Sequence, residues 1–269
     1  AFASEASNLL PGDTNGKKDI FVVDRTLGSI VRVSLSTGGA EANGACDEPS
    51  ISGDGRYVAF SSSATTLVGG DTNSQRDVFL HDLQTNQTTR VSVSTGGVQA
   101  NENIYNPQIS ADGNYIVYES SASTLVADDT NSTTDVFLYD RQLAQTTRVS
   151  LAYDGAQGSD SSSYPFISDD GRYVAFQSWN SFVVGDSNNA VDVFVVDRQT
   201  GQISLVSVTD EEGQSNGDSG YPSLSADGRY VVFSSSASNL VSGDTNTFYG
   251  LCVGDRQAGT PQRGSGCGA

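Results

Sequence analysis

One arrangement of oxygen-bearing side chains occurs four times in the chain: Asp-x-Asn-x-x-x-Asp, at Asp13/Asn15/Asp19, Asp71/Asn73/Asp77, Asp129/Asn131/Asp135 and Asp186/Asn188/Asp192. Carboxylate and amide oxygens at positions 1, 3 and 7 of a turn can fold around a hard cation, and Ca²⁺ takes six to eight such oxygens at about 2.3–2.6 Å. The alternative is that Asp and Asn close Asx turns at the strand ends. Calcium is the reading carried forward, because two carboxylates drawn together in each loop otherwise repel one another. Four structural Ca²⁺ sites are expected, and a fifth copy with Asp244 and Asn246 but Gly250 in the closing position is expected to be weak or empty. Ligands that are all oxygen disfavour zinc and copper. A ligand at a hundred times its dissociation constant adds about 2.7 kcal/mol, so four filled loops would add on the order of 10 kcal/mol.

Other reactive side chains are scarce. His81 is the single histidine, beside Asp82, and reads as a packing or surface residue. Of three cysteines, Cys252 stands where phenylalanine stands in the other copies, and Cys267 lies near the C-terminus. Cys252 with Cys267 is the preferred disulfide, with Cys46 left as a free or intermolecular thiol. Trp179 offers either core packing or a face for a sugar. Asn86-Gln87-Thr88 and Asn131-Ser132-Thr133 fit the N-glycosylation sequon, a short match common by chance. Catalysis of glycoside cleavage needs two carboxylates about 5–10 Å apart. The segments "EPSIS", "NPQIS", "YPFIS" and "YPSLS" supply Glu48 and otherwise mainly Ser, Gln and apolar groups, so the chain is expected to be no enzyme.

The elements that hold these residues repeat. The string "ISGDGRYVAFSSSATTLVGGDTNSQRDVFLHDLQTNQTTRVSVSTGG" starts at Ile51 and returns at Ile109, Ile167 and Leu224, with steps of 58, 58 and 57. Its later half also occurs at the N-terminus, so the repeat units are approximately 1–47, 48–105, 106–163, 164–220 and 221–269, within one domain over 1–269. Each copy predicts four strands: Glu48 to Ser52, a strand from Tyr57, Asp77 to Asp82, and Thr88 to Ser94 in the second copy. Asp54-Gly55 predicts a type I′ hairpin turn between the first two. Four antiparallel strands per unit at this period indicate a β-propeller of about five blades, all-β, whose N-terminal blade lacks its first strand. Apolar residues on both faces of the second and third strands fit blades sandwiched between neighbours.

Arginines recur at three repeat positions: Arg32, Arg90 and Arg148; Arg56, Arg172 and Arg229; Arg25, Arg141, Arg198 and Arg256. A residue present in nearly every copy is expected to hold blades or turns together.

The segment "ISADGRYVVFSSSASNLVSGDTN" resembles the PD40, or TolB-like, WD40-type propeller repeats of bacterial envelope and secreted proteins, which share Ser-x-Asp-Gly followed by an apolar strand. The resemblance covers nearly the whole chain and implies the fold. It says little about function, because such propellers serve as interaction modules, scaffolds and partners of enzymes.

Composition narrows the function classes. With 14 Lys+Arg against 32 Asp+Glu the net charge is −18, which opposes binding to nucleic acid and to anionic membranes. Aspartate outnumbers glutamate 25 to seven and 29 glycines are present, which favours turns and strands over helices. No apolar run is long enough to insert in a membrane. A start at Ala1-Phe2-Ala3 is compatible with removal of a leader, and the expected location is secreted, extracellular or cell-surface, with the periplasm as an option. The expected function is a calcium-stabilised structural or interaction module that self-assembles, as an oligomer or filament, by strand complementation at an incomplete blade edge. The alternative is a propeller that binds glycans or envelope proteins, and a propeller glycosidase or lyase ranks last.

Overall fold

The computed structural model describes residues 1–209, 213–241 and 248–257. Among them there is no helix, and none therefore long and apolar enough to cross a membrane. Among the described residues eighteen strands lie in five antiparallel sheets. The first holds β1 (Phe2–Ser4), β2 (Asp19–Asp24) and β3 (Ser29–Arg32); the second holds β4 (Cys46–Ile51), β5 (Tyr57–Ser62), β6 (Asp77–Asp82) and β7 (Gln87–Arg90). The third comprises β8 (Ile104–Ile109), β9 (Tyr115–Ser120), β10 (Asp135–Asp140) and β11 (Gln145–Arg148), and the fourth β12 (Ser162–Ile167), β13 (Tyr173–Ser178), β14 (Asp192–Asp197) and β15 (Gln202–Leu205). The last has β16 (Ser219–Leu224), β17 (Tyr230–Ser235) and β18 (Gly250–Asp255). Each sheet is a meander in chain order, as expected for propeller blades, and the first has three strands.

By contact density the chain forms two compact units, Ala1–Thr130 with Leu138–Thr147, and Asn131–Phe137 with Arg148–Ala269. In the first unit Ile20, Val33, Val58, Phe60, Leu67 and Phe79 form a core that also encloses Cys46. In the second, Ala175, Val193, Val195, Val231, Phe233 and Leu240 do the same. All six residues of β5 are buried, since a middle strand of a blade is covered on both faces.

Two features of the hairpins differ from expectation. The Asp54-Gly55 turn is not type I′: only Gly55 has positive φ, at 74°, and its N–H donates to Ser52 O at 2.9 Å. That is a type I turn followed by a left-handed glycine, within a four-residue loop over 53–56 closed by the Ser52 N–H donating to Tyr57 O at 2.9 Å. Asp54 favours it by accepting from Ser52 Oγ at 2.6 Å and from the Arg56 N–H at 3.0 Å. The first strand of each sheet after the first also contains a bulge. Asp47 pairs with Ser61 and Ser50 with Ala59, so Glu48 and Pro49 together oppose Phe60 alone. The same irregularity recurs between Tyr105 and Gln108, Ser163 and Phe166, and Gly220 and Ser223.

Candidate functional site

The four Asp-x-Asn loops share one plan, and the fourth lacks the arginine of the other three. Asp77 opens β6 fully buried; Ser92 Oγ donates to its Oδ1 at 2.6 Å and Asn73 Nδ2 to its Oδ2 at 3.0 Å. Asn73 Nδ2 also reaches Ala100 O at 3.0 Å, so the amide bridges the loop to the segment that follows the blade. Antiparallel pairing of β6 with β7 sets Phe79 opposite Arg90, and this register carries the guanidinium back over the loop. Arg90 Nη1 lies 3.0 Å from Asp71 Oδ1, 3.3 Å from Asp77 Oδ2 and 3.0 Å from Gln99 Oε1. In the first loop Arg32 Nη1 is 3.2 Å from Asp13, 3.5 Å from Asp19 and 2.7 Å from Glu41. In the third, Arg148 Nη1 is 3.3 Å from Asp135 and 2.8 Å from Gln157 Oε1, while Asn131 again donates to Asp135 at 2.9 Å.

The loop asparagines Asn15, Asn73, Asn131 and Asn188 each turn the amide nitrogen toward the closing aspartate. Asn15 Nδ2 donates to Asp19 Oδ2 at 2.9 Å and to Ala42 O at 3.2 Å, and Asn15 Oδ1 accepts from the Lys17 N–H at 2.9 Å. The oxygens of Asn73, Asn131 and Asn188 accept in the same way from the N–H groups of Gln75, Thr133 and Ala190, at 3.2, 3.2 and 3.1 Å. These are Asx turns. The physical reason is that the buried aspartate opening each third strand needs hydrogen-bond donors, and the amide nitrogen supplies one.

The charge repulsion that motivates calcium is met, in the first three loops, by an arginine of the protein itself. The fourth loop is different. Asn188 still donates to Asp192 Oδ2 at 2.8 Å, and Ser215 to Oδ1 at 3.1 Å, but the arginine position is Leu205, the last residue of β15. Without a guanidinium, burial and the neighbouring Asp192 push the Asp186 carboxyl up to about 6, and burial raises Asp192 as well. Asp71 is also raised by burial and by Asp77, but there Arg90 opposes the shift. Among the described residues no three His, Cys, Asp or Glu side chains gather as a ready metal-ligand group. Asp244 and Asn246 of the fifth loop lie outside the described residues.

The other repeated arginines hold strands and blades. Arg56, Arg172 and Arg229 grip Asp82, Asp197 and Asp255 across their sheets, with Nη2 at 2.7 Å in each case. The guanidinium holds Asp82 well below the usual carboxylate range and Asp197 at about 2. Arg141 lies over the ring of Tyr57 at 4.1 Å, and Arg256 over Tyr173 at 4.2 Å. Under those rings sit Gly113 and Gly228, where a Cβ would come within 2.4 Å of Tyr57 and 2.2 Å of Tyr173.

His81 is buried, its Nδ1 2.9 Å from Thr88 Oγ1, and burial lowers its pKa. Cys46 is buried and unbridged; its thiol donates to Ser62 Oγ at 3.2 Å and burial pushes it up to about 12, which leaves it ill-suited to an intermolecular bond. Cys252 is disulfide-bonded, and its expected partner Cys267 lies outside the described residues. Trp179 is 54% exposed, so packing does not occupy its ring.

Residues that sequence patterning missed sit in the first-strand bulges. Glu48, Asn106, Tyr164 and Tyr221 have φ of 54°, 53°, 52° and 53°, and each precedes a proline. A non-glycine residue is sterically crowded in that conformation, most plainly a bulky one. In the first unit Glu48 Oε2 accepts from the Asn106 N–H at 3.0 Å and Ser61 Oγ at 2.8 Å and lies 3.3 Å from Arg76, while Asn106 Nδ2 donates to Glu119 Oε1 at 3.0 Å. Two carboxylates thus flank one asparagine, which the first-strand segments alone did not indicate because Glu119 comes from β9. In the second unit Gln177 Oε1 accepts from the Tyr221 N–H at 2.9 Å, and the Tyr164 and Tyr221 rings lie 4.5 Å apart, tilted by 58°. The available signal was a proline inside a strand, which cannot pair and marks an edge or bulge.

A cavity of about 720 Å³ opens in the second unit between β15 and β18, lined by Tyr153, Ile203, Leu205, Gly254 and Arg256 among others.

No family model and no curated protein matches the sequence. Solved structures do match the fold. TolB from Acinetobacter baumannii aligns with a TM-score of 0.52 at 19% identity over 91% of this chain and 47% of that one. A structure assigned to TolB of Agrobacterium tumefaciens aligns at 0.53, with 15% identity over 90% of this chain and 67% of that one. A structure from a study of two prolyl endopeptidases aligns at 0.54, with 14% identity over 93% of this chain and 32% of that one. The chain thus has a TolB-like β-propeller fold and spans about half the length of the Acinetobacter protein.

Proposed function

We propose that this TolB-like β-propeller is a non-catalytic interaction module that works outside the cytoplasm and presents its first-strand bulges to a partner. One observation carries the reading: the four bulges share a strained backbone within 2° of φ, yet their side chains are Glu, Asn, Tyr and Tyr. A repeated frame that carries different side chains at its strained position suits recognition, since strain of this kind gathers at ligand-contacting positions. The repeated arginines and aspartates support the same reading, because each described pair is engaged by its own partner: Arg56 by Asp82, Arg172 by Asp197, Arg90 by Asp71 and Asp77. The test is to incubate the purified chain with neutral and acidic polysaccharides, oligogalacturonate and proline-containing peptides. Unchanged substrates support the module, and turnover of any of them that is lost in Glu48→Gln or Glu119→Gln overturns it.

Calcium enters the proposal at the fourth loop, where the Asp186 and Asp192 carboxylates have no arginine. One site at a hundred times its dissociation constant adds about 2.7 kcal/mol, in place of the four-site total. Isothermal titration with CaCl₂ is expected to give one site per chain, lost in Asp186→Asn; four equal sites would restore the expectation for all the loops.

Self-association is the second part of the proposal, supported by the first sheet, which has three strands among the described residues where the next three sheets have four. Open sheet edges accept a further strand. Light scattering after size exclusion, with and without chelator, is expected to show oligomers at micromolar concentration; monomer at every concentration removes this part.

A further inference from the structure

We propose that the exposed face of the last sheet docks onto the exposed face of the first sheet of a second copy, repeating between chains the joint that holds consecutive blades within one. The inference rests on the self-association reading and names the surfaces through which the copies meet.

Consecutive sheets pack by one rule in both units. Phe60 pairs with Phe79 and Val58 with His81, so these four share one face of the second sheet. In the first unit Ala3, Ile20 and Val22 of the first sheet pack with Val58, Phe60 and Phe79 of the second. In the second unit Val193 and Val195 of β14, which stand where Ile20 and Val22 do, pack with Val231, Phe233 and Cys252 of the last sheet. Each of these sheets turns its Ile20-type face toward the Phe60-type face of the sheet that follows.

By that rule two faces remain. On the first sheet Phe2 pairs with Phe21 and Val23 with Ile30, so these four share the face turned away from the second sheet. Phe2 is 37% exposed and Val23 44%, where their counterparts Phe60 and His81 are buried. On the last sheet Val232 pairs with Val253, two residues from Leu251, on the face opposite Phe233 and Cys252. Leu251 is 59% exposed, whereas Ile20, Val78, Val136 and Val193, at the same position of the other sheets, are fully buried. The outer repeats of an array ordinarily turn polar residues to water. Here they turn phenylalanine, valine and leucine, and apolar faces of that kind mark interaction sites.

A second feature identifies the occupant as another copy. Tyr57 carries two guanidiniums, Arg56 at 4.7 Å from its own blade and Arg141 at 4.1 Å from the next. Tyr173 carries Arg172 at 4.9 Å and Arg256 at 4.2 Å in the same way. Tyr230, at this position in the last sheet, carries its own Arg229 at 4.8 Å but is 40% exposed, whereas Tyr57 is buried. Arg25 stands in the first sheet where Arg141 and Arg256 stand in theirs, and it is exposed. The first sheet therefore presents the arginine, and the last sheet the tyrosine, of a joint that the chain already makes twice. A second copy supplies the apolar face and the arginine together, and the cation over the ring adds to the attraction. Because the two faces differ, the contact is heterologous. Each added copy leaves one face of each kind open, so assembly continues as a filament or closes as a ring.

The experiment places charge on each exposed face. Light scattering after size exclusion, in 300 mM NaCl to screen the net charge of −18, is applied to the unsubstituted chain, to Val23→Glu, to Leu251→Glu and to an equimolar mixture of the two variants. The unsubstituted chain is expected to form oligomers larger than a dimer, and each variant to stay monomeric at concentrations at least tenfold higher. The mixture should stop at a 1:1 dimer, because Leu251→Glu keeps the first-sheet face and Val23→Glu keeps the last-sheet face. Both positions are about half exposed, so neither variant should lower the melting temperature by more than a few degrees. The milder Arg25→Ala and Tyr230→Ala should weaken assembly at least threefold. The doubly substituted Arg25→Cys/Tyr230→Cys chain, treated with a bis-maleimide, is expected to link chain to chain, since the Cys46 thiol is buried and Cys252 is bridged. Oligomers that persist unchanged in both glutamate variants, a mixture that stays monomeric, or linkage confined within single chains would each overturn the inference. The first of these leaves self-association standing through strand addition, whereas an unsubstituted chain that is monomeric at every concentration removes both.

Discussion

At the scale of single residues, the decisive difference among the copies is nineteen positions downstream of the first loop aspartate, where Arg32, Arg90 and Arg148 give way to Leu205. The Asp71 and Asp77 side chains are 2% and 0% exposed, so removal of Arg90 strands two buried charges. Breaking such a pair costs about 3–5 kcal/mol. Arg90→Leu is therefore expected to be strongly destabilised in chemical denaturation, and to recover part of the loss in added CaCl₂, because it turns the second loop into a copy of the fourth. The reverse change concerns pH. The Asp186 carboxyl is held at about 6, above its ordinary 3.8. A raised folded-state value favours the protonated form, so its contribution is fully present below about pH 4 and lost as pH rises through 6. Water screens this half-exposed group, and about 1 kcal/mol is the expected size of the effect. Leu205→Arg should abolish that slope and stabilise the chain at pH 7, as read from melting temperatures between pH 4 and 8. An unchanged slope would place the pH dependence elsewhere.

At the scale of elements, tyrosine, glycine and arginine form the joint between consecutive blades. Gly55 and Gly113 have similar backbones, with φ of 74° and 69°, but only Gly113 has a ring against it. Gly55→Ala meets open space and is expected to cost about 1–2 kcal/mol, as a left-handed alanine does. Gly113→Ala adds a collision at 2.4 Å with Tyr57, whose ring Arg141 also covers at 4.1 Å, and should cost at least about 2 kcal/mol more. Equal losses in urea unfolding would show that the ring moves aside freely. Strand limits such as Asp77–Asp82 were legible because alternation and turn residues are local signals. The bulges were not, since a left-handed residue before proline follows no periodicity. Nor was the orientation of Asn15 and its counterparts, because spacing alone does not say which end of an amide faces a carboxylate. The loop arginine's partner was hidden as well, being fixed by the register of Phe79 against Arg90, which no single strand reveals. The repeat comparison did contain the clue, in an arginine that accompanies the Asp-x-Asn loop three times and fails the fourth.

At the scale of the whole molecule, the net charge of −18 acts on every blade at once. Self-repulsion of that size opposes compactness and is screened by salt, with a Debye length near about 10 Å at 0.1 M. The bidentate Arg56–Asp82 and Arg172–Asp197 pairs are short and local, at 2.7 Å, so salt weakens them less than it relieves the long-range repulsion. The melting temperature is expected to rise by several degrees between 10 and 300 mM NaCl. This general effect sets the standard against which calcium must be judged, because any divalent salt screens a polyanion. At matched ionic strength, CaCl₂ should exceed NaCl by a fixed increment that vanishes in Asp186→Asn and survives in Asp71→Asn, whose loop already holds Arg90. If the two salts stabilise equally at matched ionic strength, the fourth loop carries no cation and its aspartates act as turn residues.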